Sequence, residues 1–457
     1  MRKRGFALGA FLIVSSAVTG LVALPSHPDS GVAAAEADIY KNLEFFGDVL
    51  EQVRANYVVK PNDSKLIEDA IRGVLTGLDP HSTYLTPKEV EEEQAETLGE
   101  FGGLGIDVTM EDGIVKVLQP IDNMPAERAG VSAGDTITAI DGETLRGMSM
   151  DAAVDKMRGP VGSPIVLTLA RKGVTKPITV KIVRDVIKVN PVQYSVEGDV
   201  GWIKVKSFEN EHTTDYLEQA VAGVQKTLGP KVAGYVLDLR NNPGGLLDQA
   251  IALSDAFLDH GLIVLTKGRN PTDIERAEAE PGDITDGKPL VVLINGGSAS
   301  ASEVVAGALQ DHQRATLVGT RSFGKGSVQT MIMLPNKGAI RLTTARYYTP
   351  SGRSIQATGI EPDYVVEPEL PADLKMQLAT LPFESESQLR GHLKNAGAEE
   401  TGGSSAYVPR EKEKDVQLKA AIAILHGDLP QTEKKAVNQA RAAPRDDTPL
   451  GNGTRGG

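Results

Sequence analysis

The sequence predicts a multidomain chain with an α/β core, and three observations lead to that fold class. A length of 457 residues is enough for two or three domains. Between residues 200 and 345, hydrophobic strands alternate with helical segments, which is typical of helices packed on a central sheet. Between residues 98 and 185, short strands are separated by turns such as Asp112-Gly113 and Asp141-Gly142. This second pattern predicts a smaller β-rich domain inserted before the core.

The first 37 residues predict a targeting segment. Arg2, Lys3 and Arg4 precede residues 5–24, an uncharged run rich in apolar residues. A secretory signal peptide and an uncleaved membrane anchor both fit this pattern. A buried soluble helix is less favoured, because the segment is not amphipathic. Both favoured alternatives predict export to the periplasm or cell envelope, and in the second one residues 5–24 anchor the chain in the inner membrane.

Residues 38–97 are predicted to form an N-terminal helical region. Apolar residues recur at helical spacing over residues 39–55 and 64–78. Residues 88–96 predict a strongly acidic helix, and such a helix is most often a solvated face.

The part of the chain after the core predicts a C-terminal helical region, residues 368–429, and a disordered tail, residues 430–457. Two helices are expected in the former, at residues 371–381 and at about 411–425. Large apolar residues are scarce in the tail, so it cannot bury enough apolar surface to offset the entropy of folding.

Composition and charge exclude several classes of function. A net charge of −13 and a pI near 5.2 argue against nucleic acid as a main partner. The chain has no cysteine, which excludes disulfides and thiol chemistry. No spacing of histidine and carboxylate residues indicates a metal site, and no cofactor is expected. His81, His212 and His312 lie in polar or turn-like stretches, where a histidine is more often structural than catalytic.

A serine cluster marks the first candidate site. A hydrophobic strand, residues 289–294, runs into a Gly-Gly turn, and Ser298, Ser300 and Ser302 then open a helix of small residues. A hydroxyl at a helix N-terminus lies beside unpaired N–H groups and the positive end of the helix dipole, which favour a developing oxyanion. The alternative is that Ser300 only caps the helix, because Ser300 and Glu303 fit the capping-box pattern.

Lys325 marks the second candidate site, since it follows a predicted strand, residues 315–318, and is flanked by glycines. A lysine held neutral in an apolar setting can take a proton from a serine, so the two sites predict a Ser-Lys hydrolase. Nucleotide binding is the competing interpretation. Residues 319–325 are one residue short of a Walker A loop, and residues 235–238 resemble a Walker B strand. However, Gly326 stands where that loop needs the hydroxyl that holds magnesium, which weakens this alternative.

Several motifs in order along the chain resemble those of the carboxyl-terminal processing proteases, also called tail-specific proteases. The resemblance extends over roughly residues 39–367, and an ordered set of motifs is far more specific than any one of them. The motifs are residues 77–85, 101–106, 238–245, 297–303, 310–311 and 323–329. This resemblance implies a PDZ domain over residues 98–185 and a serine protease core over residues 186–367.

The resemblance also implies roles for the site residues. Ser300 is the nucleophile, Lys325 is the general base, and Gln329 orients Lys325. The residues alone leave Ser298 and Ser302 open as alternative nucleophiles.

The oxyanion hole that the resemblance implies consists of the N–H of Ala301 and an N–H from Gly244 or Gly245. Glycine lets the backbone approach a ligand closely, although an ordinary strand-to-helix turn would explain the same residues. Glu303 and Asp311 match acidic positions of the family and are expected to be supporting groups.

In the β-rich domain, Gly103, Leu104, Gly105 and Ile106 match the carboxylate-binding loop of PDZ domains. Successive backbone N–H groups of such a loop capture a terminal carboxylate while the peptide adds as a strand beside it. The implied partners are protein substrates with free, apolar C-termini, a second copy of the chain bound through the N-terminal helices, and an adaptor protein.

Together these observations predict an exported serine endopeptidase that recognises substrate C-termini through its PDZ domain and cleaves by a Ser-Lys dyad. The alternative is a non-catalytic PDZ scaffold that binds protein C-termini. The presence of serine, lysine and glutamine in the expected order disfavours the scaffold.

Overall fold

The computed structural model of the chain describes residues 30–111, 113–371, 374–375, 383–395 and 397–428. The apolar run at residues 5–24, the predicted tail and most of the predicted helix at residues 371–381 therefore lie outside the described residues. Within the described ranges, no helix is both long and apolar enough to cross a membrane. The chain divides into two units, residues 1–70 and residues 71–457.

The predicted N-terminal helices are confirmed. Helix α1 (Ser30–Asn56) has exposed apolar side chains, including Leu43, Phe46 and Val53, at the positions whose spacing predicted it. Helix α2 (Asp63–Thr76) begins with the acidic residue Asp63, and a negative charge is stabilising beside the positive end of the helix dipole.

The acidic helix α3 (Pro87–Thr97) follows the short strand β1 (Thr83–Leu85) and begins at a capping box. The Thr86 N–H donates to Glu89 Oε2 at 2.7 Å, and the Glu89 N–H donates to Thr86 Oγ1 at 3.3 Å. Pro87 stands at the first helical position, where its missing N–H costs no hydrogen bond.

The β-rich domain is a sheet in the order β3-β4-β5-β7-β8, with β6 paired to β5, so that β3 is an edge strand. Buried and partly exposed residues alternate along β7, and Ile165, Leu167 and Leu169 fill the core. The elements are β2 (Glu100–Gly103), β3 (Ile106–Glu111), β4 (Ile114–Pro120), α4 (Pro125–Arg128), β5 (Thr136–Ile140), β6 (Glu143–Thr144), α5 (Met150–Met157), β7 (Pro164–Ala170) and β8 (Ile178–Val183). Strand β9 (Asp185–Lys188) pairs with β2.

The α/β core contains a six-stranded sheet in the order β10-β11-β12-β15-β16-β19, parallel except for the β10–β11 pair. Its strands are β10 (Val192–Glu197), β11 (Val200–Val205), β12 (Gly234–Asp238), β15 (Leu290–Ile294), β16 (Thr316–Gly319) and β19 (Tyr364–Val365). Every residue of β12 and β15 is buried, because helices cover both faces. Helices α6 (Thr213–Leu228), α7 (Leu247–Asp255) and α8 (Ala301–Asp311) cover one face.

A second, antiparallel sheet has the order β1-β18-β13-β14, with β17 paired to β18. It contains β13 (Gly261–Lys267), β14 (Ile274–Ala279), β17 (Ser327–Met333) and β18 (Ala339–Tyr348). The alternation of strands and helices between residues 200 and 345 predicted one central sheet, and this was wrong for residues 261–267 and 339–348, which lie in the second sheet. Antiparallel sheets can face water on one side, and β14 and β17 accordingly consist mostly of partly exposed and exposed residues.

The C-terminal region covers the other face of the parallel sheet. Helix α9 (Val416–Leu425) buries Leu418 and Ala421 against residues of β12, β15 and β16. The predicted helix at about 411–425 is confirmed in its later part. Its beginning is a 3₁₀ turn, Lys412–Lys414, and α9 starts after Asp415, whose Oδ1 accepts the Leu418 N–H at 3.0 Å.

Candidate active site

Three loops of the α/β core meet at one edge of the parallel sheet. They follow β12 (residues 239–245), β15 (residues 295–300) and β16 (residues 320–326). Neighbouring parallel strands end at the same edge, and β12 pairs with β15, which pairs with β16. Open α/β sheets place their sites outside the carboxyl ends of the strands, so this edge is the candidate active site.

A cleft of about 680 Å³ opens at this edge. It is lined by five of the predicted protease-site residues, namely Ser300, Lys325, Gln329, Gly244 and Gly245. Ala301, the sixth, is buried as the first residue of α8, directly after Ser300. The structure therefore brings the predicted nucleophile, base and oxyanion-hole residues together at one place.

Ser300 has a backbone conformation that sets it apart from the neighbouring serines. Its φ is +54°, a value that residues other than glycine seldom adopt and that costs strain. Ser298 Oγ donates to the Leu239 carbonyl at 2.8 Å, and Ser302 Oγ donates to the Asn242 carbonyl at 3.0 Å. Both neighbours are fully buried and hold the loop after β12, whereas Ser300 is 6% exposed and lines the cleft. These contacts favour the middle serine as the nucleophile.

Glu303 joins the serine segment, residues 298–302, to the loop that contains Lys325, residues 320–326, which we call the lysine loop. It is fully buried, and its Oε2 accepts the N–H groups of Ser300 at 2.8 Å and Lys325 at 2.9 Å. Its Oε1 accepts the Ser322 hydroxyl at 2.5 Å and the Gly324 N–H at 2.7 Å. Burial raises the pKa of Glu303 to about 7, and these four hydrogen bonds oppose that shift.

The same contacts weigh against the Walker A interpretation of this loop. Such a loop cradles phosphate with free backbone N–H groups. Here the N–H groups of Gly324 and Lys325 are already donated to a carboxylate.

Lys325 lines the cleft in a partly buried position. Burial lowers its pKa, which is the direction that a general base needs, while the charge of Glu386 opposes this shift. Within the part of the chain that the structure describes, no hydrogen bond joins Lys325 Nζ to Ser300 Oγ.

Gln329 reaches the cleft from β17, next to a shift in its register with β18. Its Nε2 donates to Ser327 Oγ at 3.0 Å and to Thr343 Oγ1 at 3.2 Å. The structure thus places Gln329 in the cleft that Ser300 and Lys325 also line, without a hydrogen bond to Lys325, and its orienting role stays a prediction.

The glycine-rich loop approaches Ser300 so closely that it has no room for side chains. Gly244 has a φ of +104°, and a Cβ there would lie 2.8 Å from the Ser300 Cβ. A Cβ on Gly245 would lie 2.3 Å from the backbone N of Glu209. The Gly244 N–H donates to Asn242 Oδ1 at 2.9 Å. Among the described residues, the N–H groups of Ala301 and Gly245 have no acceptor, so these two are the better placed for an oxyanion.

The predicted carboxylate-binding loop lines a separate cavity of about 330 Å³ in the β-rich domain, together with Val154 and Met157 of α5. The Leu104 carbonyl accepts the Ala126 N–H and the Gly105 carbonyl accepts the Ile121 N–H, each at 2.9 Å. A trans peptide points its N–H away from its own carbonyl. The N–H groups of Gly105 and Ile106 therefore point in the direction opposite to the hydrogen bonds that the Leu104 and Gly105 carbonyls accept.

Comparison with known proteins identifies the family. The model of peptidase family S41 matches residues 199–366, and that of the PDZ domain matches residues 116–171. A carboxy-terminal-processing protease of Bartonella bacilliformis is 55% identical over 396 residues, which cover 86% of this chain and 90% of that protein. The chain belongs to the carboxy-terminal-processing proteases.

Two further relatives are similar over most of the chain. The carboxy-terminal processing protease CtpA of Bacillus subtilis is 34% identical over 380 residues, 82% of this chain and 79% of that one. The solved photosystem II D1 C-terminal processing protease is 34% identical, with 71% of this chain and 88% of that one covered and a TM-score of 0.42. As a family member, the chain is a serine-type peptidase with a PDZ domain, and the non-catalytic scaffold is not favoured.

Some residues of the protease cleft were missed by the sequence reasoning. Tyr347 of β18 lines the cleft, burial raises its pKa to about 12, and a hydrogen bond with the Ser300 side chain opposes that shift. No local pattern marks this tyrosine. The acidic helix α3 was expected to be a solvated face, but Glu89, Glu92, Glu93 and Glu96 line the cleft. Their spacing of three and four residues was the available signal.

Asp79 belongs to a turn far from Ser300 in sequence, and no role was assigned to it from the sequence. Asp79 Oδ1 accepts the Thr343 hydroxyl at 3.1 Å, and Thr343 in turn accepts from Gln329. Burial alone would raise the pKa of Asp79, but hydrogen bonds from Ser82 and its neighbours lower it. Asp311 instead contacts Arg353 and the Ser351 N–H, as expected of a supporting group.

Proposed function

We propose that this chain is an exported endopeptidase in which Ser300 is the nucleophile and Lys325 the general base. The observation that carries the proposal is the meeting of two features in one cleft. Ser300 is held at positive φ on a helix N-terminus, and Lys325 is a lysine whose pKa is lowered by burial. A strained serine beside a desolvated lysine is the arrangement that nucleophilic catalysis requires.

The reaction follows from these positions. Neutral Lys325 takes the proton of the Ser300 hydroxyl while Oγ attacks the carbonyl carbon of the scissile peptide. The N–H groups of Ala301 and Gly245 stabilise the oxyanion of the tetrahedral intermediate. Lys325 returns the proton to the leaving amine, and an acyl-enzyme remains on Ser300. Water, deprotonated by the same lysine, attacks the ester, and the ester bond to Oγ breaks as Lys325 returns the proton to Oγ, which releases the new C-terminus.

Substrate selection belongs to the PDZ domain in this proposal. The terminal carboxylate accepts the N–H groups of Gly105 and Ile106, and the last side chain enters the apolar cavity beside Val154 and Met157. The preceding residues add as a strand along β3, which is the end strand of this sheet among the described residues. The substrates are therefore proteins with free, apolar C-termini.

The cellular setting is proposed from the N-terminal sequence. Basic residues 2–4 followed by the apolar run 5–24 support export, as a signal peptide or as an anchor. The exposed apolar side chains of α1 support assembly of copies through the N-terminal helices, and the family resemblance supports an adaptor protein.

The experiment compares wild type, Ser300→Ala and Lys325→Arg on a denatured protein with an apolar C-terminus. We expect both variants to lose cleavage by at least about 10³-fold while remaining folded. Arginine keeps the charge but cannot give up its proton in a protein, so it cannot act as the base.

Ser302→Ala is the matched control, because it removes a hydroxyl of the same cluster that does not line the cleft. Mass spectrometry after treatment with a fluorophosphonate identifies the phosphonylated serine in each protein. Near-normal turnover in Lys325→Arg, or phosphonylation at a serine other than Ser300, would overturn the proposal.

A further inference from the structure

A buried acid lies behind the lysine loop. Glu386 is fully buried, and His81 Nε2 lies 2.9 Å from its Oε2 and 3.1 Å from its Oε1. The Gln356 side-chain amide donates to Glu386 Oε1 at 2.9 Å. The carboxylate is thus held on two sides, by residues far from it in sequence.

Glu386 and Gln356 also form hydrogen bonds with the lysine loop on both sides of Lys325. The Glu386 N–H donates to the Phe323 carbonyl at 3.1 Å, two residues before the lysine. The Gly326 N–H, one residue after it, donates to Gln356 Oε1 at 3.0 Å. A Cβ on Gly326 would lie 2.3 Å from the Gln356 backbone N, so the approach depends on glycine.

Four charged groups act on Lys325 from the elements around it. Glu386 has the largest effect among them and favours the charged ammonium, as do Glu303 of α8 and Asp79 of the turn before β1. Arg341 of β18 has the opposite effect, although Glu93 pairs with it at 2.5 Å. The remaining acidic groups along the cleft are Glu89, Glu92, Glu96 and Glu209. Burial of Lys325 outweighs the attractive charges.

We propose that Glu386 is a positioning residue for the peptidase reaction, a counter-charge that is fixed by His81 and Gln356 and sets the pH range in which Lys325 accepts a proton. This inference rests on the proposed role of Lys325 as general base. In this proposal Glu386 contacts neither the substrate nor Ser300, and it acts only through Lys325 and the lysine loop.

The test measures kcat/KM and the rate of phosphonylation by a fluorophosphonate against pH in wild type, Glu386→Gln, Glu386→Asp and Glu384→Gln. Glutamine is nearly isosteric with glutamate and removes only the charge. We expect the midpoint of the rising limb in Glu386→Gln to move to lower pH, because the neutral lysine is no longer disfavoured by that charge. Glu386→Asp keeps the charge on a shorter side chain, so its midpoint should lie between those of Glu386→Gln and wild type.

Glu384→Gln is the matched control, since Glu384 is exposed and lies two residues from Glu386. Its profile should coincide with that of wild type. A merely structural role for Glu386 would lower the rate at every pH without moving the midpoint, and that result would overturn the inference. If Glu386→Gln fails to fold, the Glu386→Asp variant decides instead. A midpoint of its rising limb at or above that of wild type would overturn the inference.

Lys325→Arg separates this inference from the proposed function beneath it. An active Lys325→Arg enzyme with the wild-type profile contradicts the role of Lys325 itself. An inactive Lys325→Arg enzyme together with an unmoved midpoint in Glu386→Gln contradicts only the role of Glu386.

Discussion

The edge of the parallel sheet formed by residues 239–245, 295–300 and 320–326 is the candidate active site, and we call it the catalytic edge. This edge and the PDZ domain bury different kinds of groups. At the catalytic edge, Asp238, Arg240, Asn295 and Glu303 are almost completely buried and hydrogen-bonded. The PDZ core is filled by apolar side chains, with the carboxylate of Asp135 as a buried exception that pairs with Arg171. The catalytic edge therefore buries charged and polar side chains, whereas the PDZ domain keeps almost all of them at its surface.

The difference follows from how each region works. Recognition of a carboxylate uses backbone N–H groups, which need only a stable apolar scaffold behind them. In the proposed mechanism, catalysis needs a serine, a lysine and oxyanion donors at fixed positions in a site of low dielectric, so the groups that hold them are buried as well. A buried polar group that loses its partner costs far more than an exposed one. Substitutions should therefore cost more at the catalytic edge than in the PDZ domain.

The largest expected effect is that of Arg240→Ala. All five N–H groups of this guanidinium are donated, to Asp238, Asp415 and Gln417, and the side chain is 1% exposed. Its loss leaves two buried carboxylates without their counter-charge, which should lower the free energy of unfolding by about 3–5 kcal/mol. Urea unfolding followed by the fluorescence of Trp202, the single tryptophan, reports on this region because its indole lies 3.3 Å from Asp238.

The matched substitution in the PDZ domain is Arg171→Ala. Arg171 pairs with Asp135 at 2.7 Å, but its side chain is 33% exposed, so solvent screens part of the interaction. We expect a loss of about 1–2 kcal/mol, measured by hydrogen exchange of the β7 amides. Equal losses for the two arginines would show that the depth of burial does not set the cost of removing them.

The next largest effect is expected for Glu303→Gln. The amide group of glutamine would face at least one of the N–H donors that now bond a carboxylate oxygen, which disturbs the link between Ser300 and the lysine loop. Hydrogen bonds to a charged group are worth about 1.5–3 kcal/mol, so kcat should fall on the order of 100-fold. Asp311→Asn is a suitable control, because it changes a buried acid of the same helix that lies outside the cleft lining. A Glu303→Gln enzyme with normal kcat would show that this link is dispensable.

The pH dependence of stability sharpens the same test. The folded-state pKa of Glu303, about 7, lies above the ordinary value of 4.5, so the folded protein binds this proton more tightly than the unfolded chain. The contribution of Glu303 to stability is therefore full below about pH 4.5 and is lost as the pH rises towards about 7. Relative to Glu303→Gln, the unfolding free energy of the wild type should fall over that range. A constant difference between the two proteins would contradict the raised pKa.

The smallest effect is expected from the substrate side of the PDZ domain. Amidation of the substrate C-terminus removes a charge-assisted hydrogen bond to the N–H groups of Gly105 and Ile106, so kcat/KM should fall roughly tenfold. In Gly105→Ala, acid and amide should be cleaved at the same low rate. The reason is that a Cβ at this position would lie 2.2 Å from the Met124 Cβ and displace the loop. Equal rates for acid and amide on the wild type would leave the PDZ domain without a role in selection.

The sequence predicted those parts of the molecule that depend on local pattern. The strand, turn and helix around Ser300 and the glycines of the loop after β12 lie where spacing and composition placed them. Each is formed by residues that are close together in the chain, so periodicity and turn chemistry were sufficient.

The missed features depend on contacts between distant residues. Glu386 meets His81 across 305 positions of sequence, and Arg240 meets Asp415 across 175. Tyr347 reaches Ser300 because β18 belongs to a second sheet whose pairing no local pattern specifies. Only the packed fold determines such meetings, and a single sequence contains no pattern that records them.

The contact of Arg240 with Asp415 and Gln417 also orders events during synthesis of the chain. Ser300 and Lys325 are added first, and at roughly 5–20 residues per second the ribosome needs several more seconds to reach Asp415. During that interval the guanidinium of Arg240 has Asp238 but lacks its other two side-chain partners. The ion cluster at this edge is therefore completed only after Gln417 has been added, and a messenger truncated before codon 415 yields a chain in which Ser300 and Lys325 are present but the ion cluster stays open.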